Sequence, residues 1–164
     1  MKRPALVVWA LAKVVIVGLA VGWCALRLLR LDPWLGLSLP SWSRTPGLVL
    51  LVLGSALVLA CGRILGTQGI LETPGDRFFP KAFVVRGPFR YLRNPMSLGA
   101  IILLLGLGLF ESSATILLLA LALFLCLHLL IVYVEEPGLD KRFGESYQKY
   151  RGSVNRWFPR FPVR

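Results

Sequence analysis

Two short stretches carry charge where an otherwise apolar sequence has almost none. Arg93-Asn94-Pro95 stands at the mouth of one apolar run, and Glu135-Glu136-Pro137 ends the next. A guanidinium beside an amide suits a carboxylate, and paired carboxylates suit an ammonium. From Met96 to Val134 the chain is nearly uncharged, broken only around Glu111. A helical hairpin there would return both stretches to one membrane face, where a zwitterionic ligand would fit.

The elements that must position these groups follow from composition. The chain has 164 residues, 56% of them hydrophobic, and a mean hydropathy of +0.70. That is too apolar and too segmented for one ordinary soluble core. The expected fold is all-α, a single polytopic membrane domain over 1–164 with about four spans. They cover about 5–26, 46–65, 97–110 and 114–134. The third is short of the ~30 Å hydrocarbon core at ~1.5 Å per helical residue, so it is tilted, extended by its neighbours or packed inside. Thr45-Pro46 reads as a cap and first turn. Gly47, Gly54 and Cys61 recur every seven residues, and Gly18 with Gly22 makes a second small face. Such faces let helices approach closely.

After the last span, Leu139, Phe143, Tyr147, Tyr150 and Val154 form an amphipathic stripe. It predicts one cytoplasmic helix over about 137–151, with Trp157 and Phe158 anchoring its end. Lys2, Arg3, the loop from Arg63 to Arg93 and the basic tail fall on one side, against Arg27, Arg30 and Arg44 on the other. The positive-inside rule makes both termini cytoplasmic. The net charge of +11 is assigned to anionic headgroups and not to nucleic acid, because the basic residues flank spans. The first apolar stretch is too long for a cleaved signal and reads as a retained span, Lys13 within it snorkelling to the near face. Small size and the lack of a targeting signal predict a prokaryotic inner membrane. Cys24, Cys61 and Cys126 have no metal spacing, and no metal is expected.

The run Gly87-Pro88-Phe89-Arg90-Tyr91-Leu92-Arg93-Asn94-Pro95-Met96, followed by Gly99, resembles the signature of the isoprenylcysteine carboxyl methyltransferase and phospholipid methyltransferase superfamily. Glu135-Glu136-Pro137, Leu139, Phe143-Gly144, Tyr147, Tyr150, Val154, Arg156 and Pro159 are similar to its C-terminal half, and Thr73-Pro74 and Pro80 extend the likeness upstream. The resemblance implies a membrane enzyme using S-adenosylmethionine. It implies a cofactor site of Arg93, Asn94, Pro95, Gly99, Glu135, Glu136, Tyr147 and Tyr150, with Arg90 and Arg156 toward the substrate. Arg93 and Asn94 would take the methionine carboxylate, and one or both glutamates the ammonium. Asn94 replaces the His of many members and resembles the phospholipid branch. Ser97 replaces a common Tyr.

His128 lies seven residues before Glu135, on nearly the same face of an unbroken α-helix. It is either a proton acceptor for an amine substrate or a structural interhelical hydrogen-bonding group. The leading function is methyl transfer to a lipid or other hydrophobic acceptor, its reacting atom N, O or S, with membrane lipids as partners. A related membrane reductase using NADPH and a non-catalytic scaffold or transporter are the alternatives.

Overall fold

Small residues decide how the helices meet. The computed structural model describes residues 21–27, 30, 32, 39–67 and 85–160. Most of the expected span 5–26, with Lys13 and Gly18, lies outside the described residues, as do Thr73, Pro74, Phe78, Phe79 and Pro80 of the loop. A 3-10 turn, Ser41–Ser43, leads into α1, Arg44–Thr67. A second 3-10 turn, Gly87–Arg90, precedes α2, Pro95–Phe110, whose first residue is the proline that suits a helix start.

The two helices run antiparallel with glycine against backbone. A Cβ on Gly54 would lie 2.7 Å from the Leu103 nitrogen and 2.9 Å from the Gly99 carbonyl oxygen. One on Gly106 would lie 2.7 Å from the Leu51 nitrogen and 3.0 Å from the Gly47 carbonyl oxygen. Gly47 and Gly54 thus face Gly106 and Gly99, and Cys61 continues the same seam fully buried. In a lipid environment, where apolar burial gives helices little reason to associate, backbone contact of this closeness supplies the attraction.

α2 is short because it is the helix the others cover. Its Gly99, Ile101, Leu104, Gly106 and Gly108 are buried, and Leu104 packs with Ala25 of the helical residues 21–27 and with Ile116 and Ala120 of α3, Ala114–Leu130. The α2–α3 turn falls at Glu111–Ser113, where the expected hairpin reverses. Ser113 caps α3 by accepting from the Ile116 N–H at 3.2 Å, and Ser43 ties α1 to the turn by donating to the Leu109 carbonyl at 2.7 Å. The buried Asp32 accepts from the Thr115 N–H at 3.0 Å, so the chain before α1 also clasps this turn.

Beyond Leu130 the helix continues through a π turn, Ile131–Glu135, into α4, Glu136–Phe143. Pro137 lacks the N–H an α-helix needs, and the π turn ends just before it. The single helix expected over 137–151 is instead two, α4 and α5, Glu145–Ser153. Gly144 between them has φ 51° and ψ −127°, a conformation that essentially requires glycine. The apolar stripe survives the break: Leu139, Tyr147, Tyr150 and Val154 still bury together, with Phe143 beside them.

Among the described residues there is no strand. Two helices, Ser41–Leu65 and Ala114–Phe143, are long and apolar enough to cross a membrane, yet only 11% and 22% of their most apolar stretches is buried. Their exposed Leu48, Val52, Leu59, Leu118, Leu121, Leu125 and Leu129 would be an aggregation hazard in water. Such surface belongs in lipid.

The glycine seam makes a stability prediction. Gly54→Ala and Gly106→Ala should each lower stability in detergent micelles by about 1–3 kcal/mol through overpacking. Gly62→Ala, on the same helix with nothing within 4 Å of its Cβ position, should be neutral or stabilising by up to about 1 kcal/mol. Equal shifts of all three unfolding midpoints would refute the close-contact account.

Candidate functional site

At the open end of the α2–α3 hairpin the expected charges converge on one carboxylate. Glu136, 4% exposed, accepts from Arg93 Nη1 at 2.9 Å. It also accepts from Arg156 Nε at 2.7 Å and from Arg156 Nη2 at 2.9 Å, a two-pronged pairing that uses both carboxylate oxygens. Arg151 lies farther out, its Nε 3.9 Å from Glu136 Oε2. Arg93 and Glu136 therefore touch each other directly, and do not face one another across a gap. A buried carboxylate without such partners would be strongly disfavoured.

Arg93 is held by the local fold. Its own N–H donates to the Asn155 carbonyl at 2.9 Å, and Leu92 forms an isolated parallel bridge with Asn155. The Tyr150 hydroxyl donates to the carbonyls of Phe89 at 2.6 Å and Leu92 at 3.2 Å, pinning the approach to α2. Tyr147 is buried with its hydroxyl in hydrogen-bonding reach of Arg93. Burial pushes the Tyr147 phenol above its ordinary pKa, the Glu136 charge adds to this, and Arg93 opposes it. Tyr150 is raised by burial first and by Tyr147 second. The hydrogen bond to Glu136 raises Arg156 above its ordinary value.

Two polar groups here have no partner among the described residues. Arg93 Nε is buried and unsatisfied, and the Glu135 side chain makes no ion pair or hydrogen bond. The π turn explains why the adjacent glutamates differ. An α-helix advances about 100° per residue, which would align Glu135 with His128. A π turn takes up one extra residue, so the helix beyond it is turned back by about 100°. Glu136 then comes round to the His128 side and meets the arginines, while Glu135 is rotated away. The common face expected for His128 and Glu135 is thereby lost.

A model of the phospholipid methyltransferase family matches residues 42–146, more than half of the chain. The chain belongs to that family. No curated protein matches it. The family is one of membrane-associated methyltransferases, and the matched region of this phospholipid methyltransferase family member contains α1, α2, α3, the π turn and α4.

The remaining residues singled out from the sequence take varied places. Pro95 is fully buried at the start of α2. Asn94 precedes it without a side-chain cap, its carbonyl accepting from the Leu98 N–H at 3.0 Å. Gly99 faces Val58 and Gly54 of α1. Arg90 is exposed. His128 Nδ1 accepts from the Trp157 indole N–H at 3.1 Å. An indole can only donate, so Nδ1 is the accepting nitrogen. Sequence reasoning treated Trp157 only as an anchor and did not single out Asp32 or Asn155. Asp32 is the lone acid between the first two apolar runs, a signal that was there to read; Asn155 acts through its backbone and leaves none.

Removing one member of the Glu136 cluster leaves buried guanidinium charge without its partner. Glu136→Ala should cost about 3–5 kcal/mol of stability, whereas Glu135→Ala should change it by less than about 1 kcal/mol. Unfolding in detergent measures both, and equal losses would overturn the assignment of Glu136 as the neutralised hub.

Proposed function

We propose that this chain is a polytopic integral membrane methyltransferase that moves a methyl group from S-adenosylmethionine to a lipid-borne or other hydrophobic acceptor. The observation that carries this is the pair of unpartnered groups beside the neutralised Glu136: the buried Arg93 Nε and the Glu135 carboxylate. An unmatched donor suits the carboxylate of the methionine moiety, and a free acid suits its ammonium. Glu136, occupied by Arg93 and Arg156, holds the frame. Asn94 lies beside Arg93 on the carboxylate side, Arg90 is exposed toward the acceptor headgroup, and Tyr147 and Tyr150 support Arg93 and the segment before it.

The donor, when bound, supplies an activated methyl on a sulfonium and a neutral sulfur as leaving group. The chain's part is to orient the reactants and exclude water, which can contribute about 7–11 kcal/mol. A hydrophobic acceptor reaches the site laterally between helices, and the soluble donor arrives beneath α4 and α5.

In this reading the chain has four spans, the first formed largely by residues 5–26. Arg63, Arg86, Arg90, Arg93, Lys141, Arg142, Lys149, Arg151, Arg156 and Arg160 gather at the site end, against Arg27, Arg30 and Arg44 at the hairpin-turn end. That asymmetry supports a cytoplasmic site end with both termini on the same side, and the membrane proposed is a prokaryotic inner membrane. Exposed Trp42 near the turn and exposed Tyr133 and Phe158 near the site mark the two interfaces.

Purified protein incubated with labelled S-adenosylmethionine, and separately with NADPH, tests the reading. The methyl donor should bind, and a lipid fraction of the extract should gain label in its presence. Glu135→Gln should weaken donor binding at least about tenfold, the scale of one charge-assisted hydrogen bond, while leaving the fold intact. NADPH binding without donor binding, or wild-type affinity in Glu135→Gln, would sink it.

A further inference from the structure

The segment after α5 is fixed at both ends. At one end the Asn155 carbonyl accepts from the Arg93 N–H at 2.9 Å, and at the other the Arg160 N–H donates to the Tyr91 carbonyl at 3.0 Å. Val154 buries beneath it against Leu139, Tyr147 and Tyr150. Between these fixings, two consecutive side chains reach different turns of the long helix. Arg156 grips Glu136, just past the π turn. Trp157 donates to His128, before it, and its ring packs on Phe124 at a 57° tilt, centroids 5.2 Å apart. The strap 154–160 therefore bridges the π turn, and it lies beyond the residues matched by the family, which end at 146.

We infer that Trp157 and His128 are positioning residues for the donor site. Their hydrogen bond holds the strap so that Arg156 occupies Glu136 on both oxygens and Arg93 keeps its Nε free for a ligand. The inference rests on the functional reading above. Its geometry explains why an imidazole lies here in an apolar helix: its Nδ1 is the acceptor that an indole N–H requires near lipid, where an unmet donor is costly. Arg93 is held from two directions by one strap, through its backbone N–H to Asn155 and through the carboxylate it shares with Arg156. Loosening the strap at Trp157 must therefore disturb Arg93 without touching it.

The experiment compares full-length wild type with Trp157→Phe, His128→Ala and His128→Asn in micelles. Trp157→Phe keeps the ring and removes the donor; His128→Asn offers a carbonyl acceptor in place of Nδ1. Amide hydrogen exchange at Arg93 and Arg160, measured without ligand, should accelerate in Trp157→Phe and His128→Ala and stay near wild type in His128→Asn. Equilibrium binding of labelled S-adenosylmethionine should weaken about five- to tenfold in the first two and recover in the third, as expected for one hydrogen bond acting through a neighbour. Unchanged exchange in Trp157→Phe and His128→Ala overturns the inference whatever the donor does. Accelerated exchange with undiminished donor affinity overturns it as well, leaving the strap a stabilising element. Failure of the wild type itself to bind the donor overturns the functional reading and, with it, the donor role of the strap.

Discussion

A single carboxylate, Glu136, sets the terms for everything at the open end of the helix hairpin. It lies buried at the edge of an apolar bundle, and its charge is tolerable only because two guanidiniums meet it within hydrogen-bonding distance. Those guanidiniums come from far apart in sequence, one at the start of α2 and the other after α5. The ion pair thus has to be assembled by tertiary folding, and the fold is arranged to assemble it. Tyr150 pins the segment before Arg93, Asn155 holds the Arg93 backbone, and the Tyr147–Tyr150–Val154 stripe packs beneath the strap that carries Arg156. A buried pair of this kind is weak evidence of stability compared with a hydrophobic replacement, but it fixes geometry closely because each partner is costly alone.

The π turn is the second device. Without it, the paired glutamates would be interchangeable in role, since neighbouring residues on a helix differ only by rotation. The extra residue assigns them. Glu136 is turned into the arginines, and Glu135 is left without a partner among the described residues. Proline at 137 makes an unbroken α-helix unfavourable here in any case, so the irregularity relieves a backbone conflict while giving the two carboxylates different surroundings. π turns inside helices occur often at functional sites.

The rest of the bundle serves to hold that end steady. α2 is too short to span alone and is clasped by α1 along a seam of glycines and by α3 and residues 21–27 on another side. Backbone contact at this range resists sliding, because ridges and small-residue gaps match in only one register. The hairpin turn is bound by Ser43, Ser113 and Asp32. With both the seam and the turn fixed, Arg93 and the α3 helix end return to the same place, which is the condition for the Glu136 contact to form.

Much of this was legible beforehand. The apolar runs, the turn near Glu111, the small-residue interval of Gly47, Gly54 and Cys61, and the return of the Arg93 and Glu136 stretches to the same end of the hairpin are all written in residue type and spacing, because hydropathy and helical periodicity are local properties. The family resemblance rested on the same local strings and was met by the family match. What spacing could not show was the partner of each group. The facing of Gly54 by Gly99 depends on two helices meeting, the break at Gly144 on a backbone angle that the amphipathic stripe does not reveal, and the roles of Glu135 and His128 on one extra residue in a π turn. The resemblance directed Arg156 toward the substrate, and Trp157 looks from the sequence like an interfacial anchor; their pairing with Glu136 and His128 exists only once the strap has folded back. Sequence by itself determined most of the described helical segments, which charges would gather at the open end of the α2–α3 hairpin and to which family the chain is related. The tertiary structure alone decided which carboxylate is neutralised by the two arginines and which is turned away from them, because that choice is made by long-range contacts and helix rotation.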